Sequence, residues 1–219
     1  MSDIKHQDYV NLFKTLKYGY PMQSKVRTML VKLSEYAVNK DWATKNYATS
    51  IAISSSSQAK KEENNYTVGE IQELWKNKDE LSCKLQLFYL YTGIRFNEIS
   101  KISEFHLNER YIITGSKTEA GINRVVPIHK DILKITEEVK QGVFNFSESK
   151  LRQIFSKHSF DHVPKNCRQS FSYYMLKNKV DIIAIKKIMG HKYKDVTLDV
   201  YTRLPKMDLI AEIDKLQFI

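Results

Sequence analysis

The sequence predicts an α+β fold, mainly helical, with one small antiparallel β-sheet. Capped segments with helical apolar spacing dominate the chain. Two short runs, Tyr111-Ile112-Ile113 and Arg124-Val125-Val126-Pro127-Ile128, read as strands joined by a hairpin over Lys117 to Asn123. Helical segments stand on both sides of that hairpin, which gives the order helices, small sheet, helices.

The elements follow in chain order. Val26, Met29, Leu30, Leu33 and Ala37 share one helical face, so the N-terminal part is expected to be helical. Lys25, Arg27 and Lys32 lie on its other faces. Ser54 to Ser57 lead into Gln58-Ala59-Lys60-Lys61-Glu62-Glu63-Asn64-Asn65, a polar stretch without periodicity that reads as a linker. The expected organisation is a helical module over 1–53, a linker over 54–65 and a larger domain over 66–219. Thr67-Val68-Gly69-Glu70 has the pattern of a capping box and opens that domain. Glu70 to Trp75 and Asp79 to Tyr91 read as helices, the second followed by a stop at Gly93. Pro164 suits the first turn of a helix running toward Leu176. Asp181 to Met189 is a further helix closed by Gly190, and Asp195 is placed to cap a helix carrying Tyr201. In the segment 202–219, Leu204, Met207, Leu209, Ile210 and Ile213 supply one more apolar face.

Composition narrows the partners. Lys and Arg number 35 against 25 Asp and Glu, a formal charge of +10, which favours a polyanion because cationic side chains displace counterions from phosphates. The cysteines, Cys83 and Cys167, are far apart and form no Cys-x-x-Cys pair, so neither a zinc site nor a disulfide framework is expected. The apolar runs are too short to span a bilayer, and the first residues lack an apolar signal segment. A cytoplasmic protein without membrane partners is expected.

Cleaving a phosphodiester without a metal requires a nucleophile in line with phosphorus, cations on the non-bridging oxygens and an acid for the leaving oxygen. Arginine suits the second task because its planar fork stays charged and donates twice. Tyrosine can attack and hold the phosphate covalently. The chain carries Thr92-Gly93-Ile94-Arg95, then Lys117 in the hairpin, then Pro164-Lys165-Asn166-Cys167-Arg168, then Gly190-His191, and then Val200-Tyr201-Thr202-Arg203. Taken singly, each residue has an ordinary reading, such as a surface arginine or a helix cap. Their order and spacing together do not.

This ordered set resembles the catalytic domain of the tyrosine recombinases, the phage-integrase and Xer-like family. The resemblance covers about 66–209, and 26–47 looks like the last helices of that family's core-site DNA-binding domain. It implies the tyrosine-recombinase catalytic fold and a site-specific recombinase that cuts and rejoins DNA through a 3′-phosphotyrosyl link. Arg95 and Arg168 would clamp the phosphate, Lys117 would protonate the departing 5′ oxygen, His191 would hydrogen-bond the phosphate, and Tyr201 would attack. Glu98 would support the site by pairing with its basic members. Lys165 stands where the family usually has histidine. With an ordinary pKa of about 10.4 a lysine is a poor base at neutral pH, so electrostatic support is its expected role. Lys25, Arg27, Arg124 and Lys192 are expected on DNA.

The resemblance further implies double-stranded attachment or core sites, a homotetramer on DNA, accessory DNA-bending or directionality proteins, and a phage or mobile-element setting in a bacterial cytoplasm at the nucleoid. It implies no metal and no cofactor, because the phosphotyrosyl bond retains the energy of the broken linkage. The 202–219 helix would dock on a neighbouring protomer. Two alternatives stay open: a type IB topoisomerase-like enzyme, and a DNA-binding protein of this fold without catalysis.

Overall fold

The computed structural model describes residues 4–53, 64–115, 123–191 and 205–219. The chain divides into two compact units between Glu62 and Glu63. The expected linker falls largely outside the described residues, as do Lys117, Lys192, Asp195 and Tyr201.

The N-terminal unit contains α1 (His6–Thr15), α2 (Tyr20–Asn39) and a single 3-10 turn (Tyr47–Ser50). Pro21 sits in the first turn of α2, where its missing N–H costs nothing. Tyr9, Ala48 and Ile51 are buried, with Val10, Phe13, Leu30, Val31 and Tyr47 packed around them. The expected apolar face of α2 is only half right. Leu30 packs inward, but Met29 and Leu33 are 56% and 57% exposed. The inward stripe runs through Leu30, Val31 and Ser34, because Tyr9 on α1 hydrogen-bonds the Ser34 hydroxyl at 2.6 Å and makes that polar position buryable.

The larger unit opens with α3 (Val68–Lys76), capped as expected: Thr67 Oγ1 accepts from Glu70 N–H, and the Glu70 carboxylate accepts from Thr67 N–H at 2.7 Å. Next comes α4 (Leu81–Thr92), in which ten of twelve residues are buried, so it forms the axis of the domain rather than a surface helix. Helices α3, α5 (Leu133–Lys140), α6 (Glu148–Ser156) and α7 (Pro164–Lys177) pack on it. Gln86 on α4 is fully buried and satisfied. It accepts from the Tyr66 hydroxyl at 2.8 Å and donates to Ser82 Oγ and to the carbonyls of Phe155 and His158. Ten residues that include a glutamine can therefore sit inside without an orphaned polar atom.

The sheet is antiparallel in the order β1 (Ile102–His106), β2 (Tyr111–Thr114), β3 (Arg124–Pro127). Thr114 pairs with Arg124 and Ile112 with Val126, so the second strand opens at Arg124 as expected and the first runs one residue further than expected, to Thr114. The edge strand β1 escaped the sequence reading because its polar residues, including Ser103 and Glu104, break the alternation. Helices α5 and α6 were also missed. After α8 (Ile182–Met189) the described chain resumes at Pro205 and enters α9 (Lys206–Ile213).

Leu209 and Ile213, with Leu216 beyond the helix, are buried in the domain's own core. Arg110 pairs with Asp214, and Asn178 donates to the Gln217 carbonyl at 2.7 Å. Two residues of the apolar face expected to meet a neighbouring protomer, Leu209 and Ile213, are thus buried within the chain, while Met207 is exposed.

Candidate active site

Two glycines set the frame. Helix α4 ends at Gly93 (φ 60°) and α8 ends at Gly190 (φ 64°), both left-handed caps. A Cβ at Gly93 would lie 2.4 Å from the Phe171 ring, and one at Gly190 would lie 3.0 Å from Arg124 Cδ. Only glycine fits at Gly93 without displacing an α7 side chain. The chain turns out of α4 just before Arg95 and out of α8 just before His191. This explains physically why Thr-Gly-x-Arg and Gly-His accompany the site.

Glu98 is the anchor. It is fully buried at the foot of β1 and accepts four hydrogen bonds. Arg124 gives two from its fork, at 2.9 and 2.7 Å. Arg95 gives one from its guanidinium at 2.8 Å and one from its backbone N–H at 2.7 Å. Burial alone would push this carboxyl up, but the two arginines outweigh it and hold it down at about 2.

Arg168, on the second turn of α7, donates to the carbonyls of Gly93 and Met189, which are the C-terminal ends of α4 and α8. Helix C-termini carry partial negative charge, so this arginine ties two helices into one platform. Burial, then Arg95 and Arg124, lower its pKa to about 10, which still leaves it charged at neutral pH. Arg95 also reaches the Gly190 carbonyl at 3.5 Å. Arg168 donates to His191 Nε2 at 3.2 Å, so a neutral His191 carries its proton on Nδ1 and offers a donor. Burial first, then Arg168, Arg95 and Arg124, lower the His191 pKa below its usual value and favour that neutral form.

Lys165 stands exposed one turn before Arg168 on α7. It lines two adjoining cavities. One of about 430 Å³ is shared with Arg168, Gln169, Tyr173 and His191. The other, of about 250 Å³, is shared with Arg95, Phe96, Arg152 and Arg168. The structure therefore brings Arg95, Glu98, Lys165, Arg168 and His191 together. Lys117 and Tyr201 lie outside the described residues; the strands on either side of the Lys117 hairpin are rooted beside Glu98 through Arg124.

Arg124 was expected on DNA, and that expectation is wrong. Its side chain is buried, its fork is spent on Glu98, and its Nε donates to the Ile188 carbonyl at 2.9 Å. It positions the site rather than meeting a partner. Strand alternation carried the signal: Arg124 shares a face with Val126, a core residue. In the other unit, Lys25 is exposed, whereas Arg27 donates to the Thr49 carbonyl at 2.6 Å and is tied into that unit's own fold.

The fold is that of the tyrosine-recombinase catalytic domains among solved structures. No protein-family model matches the chain. In sequence it is similar to tyrosine recombinase XerA of Pyrococcus horikoshii, 28% identical over 177 residues, which are 70% of this chain and 61% of that protein. It spans 56% of the XerA of Pyrococcus furiosus, so it covers less than two thirds of either relative. In fold it is similar to the Tn1549 transposon integrase in complex with transposon right-end DNA (TM-score 0.65, 15% identity, 97% of this chain and 85% of that one). It is similar also to a lambda integrase dimer bound to a COC′ core site (TM-score 0.64, 13% identity, 88% and 81%).

Proposed function

We propose that this chain is a site-specific DNA recombinase of the tyrosine type, in which Tyr201 attacks a DNA phosphate. The observation that supports this best is the convergence of Arg95, Arg168, Lys165 and His191 on one cleft. Among the described residues their one carboxylate, Glu98, is already filled by Arg95 and Arg124. Such a site has positive charge and donors to offer and little capacity to accept, which is what a phosphodiester and its still more charged transition state require.

In this reading Arg95 and Arg168 bind the non-bridging oxygens and His191 adds the Nδ1–H donor. The Tyr201 oxygen forms a bond to phosphorus as the bond to the 5′ oxygen breaks, and Lys117 gives that oxygen its proton. Reversal by another strand's 5′ hydroxyl restores the tyrosine. Lys165 stabilises charge from the rim. The proposed partners are double-stranded core or attachment sites, further copies of the chain in a tetramer, and accessory bending or directionality proteins, with the work done at a bacterial nucleoid in the cytoplasm.

A nicked suicide substrate tests this. The wild-type chain is expected to form a covalent DNA adduct and Tyr201→Phe none. Equal adducts would refute the assignment. Absence of any adduct with retained DNA binding would favour the non-catalytic alternative. Relaxation of supercoiled plasmid without strand exchange would favour the topoisomerase-like one.

A further inference from the structure

Away from the cleft, Glu80, Cys83 and His158 bring a carboxylate, a thiol and an imidazole to one point, with their ligand atoms all within 4.8 Å of one another. Glu80 occupies the position just before α4 and Cys83 stands three residues on, so both project from the same side of its first turn. His158 comes from the segment between α6 and α7. Its Nδ1 is 3.7 Å from the Glu80 carboxylate.

His158 does not sit there by chance of a loose loop. Its carbonyl accepts from buried Gln86 at 2.8 Å, and Ser82 Oγ donates to the Phe155 carbonyl at 3.1 Å, which pins the segment to α4 on either side of Cys83. Cys83 is fully buried and Glu80 is exposed, so the three span the boundary between core and solvent and are open from the Glu80 side.

We propose that Glu80, Cys83 and His158 form a site for a zinc ion, with water as its fourth ligand. Zinc takes sulfur, nitrogen and oxygen at about 2.0–2.3 Å in a tetrahedron, so its ligand atoms stand roughly 3.5 Å apart. The His158–Glu80 pair already has about that separation, and no pair has to close by more than about an ångström. Alkaline-earth cations fit poorly, because a thiolate and an imidazole are the wrong donors for them. On binding, Cys83 releases its proton to solvent and the metal bonds to the thiolate. No local motif announces this site, because Cys83 and His158 stand 75 residues apart and no Cys-x-x-Cys spacing is present. A metal here would join the start of α4, whose far end leads to Arg95, to the segment that leads into α7 with Lys165 and Arg168. It would brace the cleft without entering it.

The test is titration of the metal-free, reduced full chain with cobalt(II) as a spectroscopic stand-in, and with zinc in competition. The expected result is one ion per chain, a near-ultraviolet thiolate-to-cobalt band, its displacement by zinc, and a rise in thermal midpoint with zinc. Cys83→Ser should abolish the band. Glu80→Gln, a change at an exposed side chain that should leave folding intact, and His158→Asn should each weaken binding at least tenfold. Absence of the band, or binding of equal strength in Glu80→Gln and His158→Asn, would overturn the proposal. A band that survives Cys83→Ser would also overturn it, because it would assign the metal to Cys167.

Discussion

Among the described residues, the N-terminal unit closes over Tyr9, Ala48 and Ile51, whereas the larger unit encloses an ion pair inside a continuous core running from Tyr66 to Leu216. The deepest polar contact in the small unit is one hydroxyl pair, Tyr9 with Ser34. In the large one it is Glu98 with the Arg124 fork and with Arg95. A buried carboxylate is tolerable only where its partners are held so rigidly that every acceptor position is filled. The large core supplies that rigidity through three supports: α4 and its glycine stop, α8 and its glycine stop, and β3. The small unit leaves Leu12, Met22, Met29, Leu33, Tyr36 and Trp42 exposed and has no comparable frame. Charge can be stored for chemistry only where apolar packing is already in surplus.

The largest expected effect separates the units physically. A fragment of residues 63–219 is expected to unfold in one cooperative urea transition, and a fragment of residues 4–53 is expected to show none, because so few buried side chains cannot offset the chain entropy. A cooperative transition in the short fragment would erase the contrast.

Next comes Glu98→Ala, which leaves Arg124 charged and buried without its partner. It should cost about 3–5 kcal/mol in urea denaturation. Acid tests the same contact with the sequence intact. The folded carboxyl sits at about 2 and an unfolded glutamate near 4.3, so the stabilisation is present above the unfolded value and is lost as pH falls through the folded one. Stability of the wild type should therefore decline between about pH 4 and pH 2 more steeply than that of Glu98→Gln.

Gly93→Ala combines a positive φ with a Cβ against the Phe171 ring and should cost about 2–3 kcal/mol, measured by thermal unfolding. A neutral outcome would mean that α7 yields easily and the platform is not rigid. The smallest expected effect is in the small unit: Tyr9→Phe loses one buried hydrogen bond, about 1 kcal/mol, detectable as faster amide exchange along α2.

Much was legible in the sequence. Caps and stops located α3, α4, α7 and α8, because Thr67, Gly93, Pro164 and Gly190 act on their own neighbours. The two strands around Tyr111 to Ile113 and from Arg124 onward followed from β-branched runs on either side of a turn, while their register, Thr114 against Arg124, came from the structure. Ordered motifs grouped Arg95, Glu98, Lys165, Arg168 and His191 before any distance was known. Each of these signals is local, or is a fixed order of local signals, and the chain states it directly.

Tertiary structure alone decided the rest. Whether Arg124 faces a partner or the core depended on Glu98, 26 residues away, whose carboxylate takes both arms of its fork. The inward stripe of α2 depended on Tyr9 making Ser34 satisfiable, and the place of α9 depended on a vacancy in its own domain for Leu209 and Ile213. In each case residue type set what a side chain can do, but its partner came from a distant segment. Burial and charge pairing are properties of that meeting.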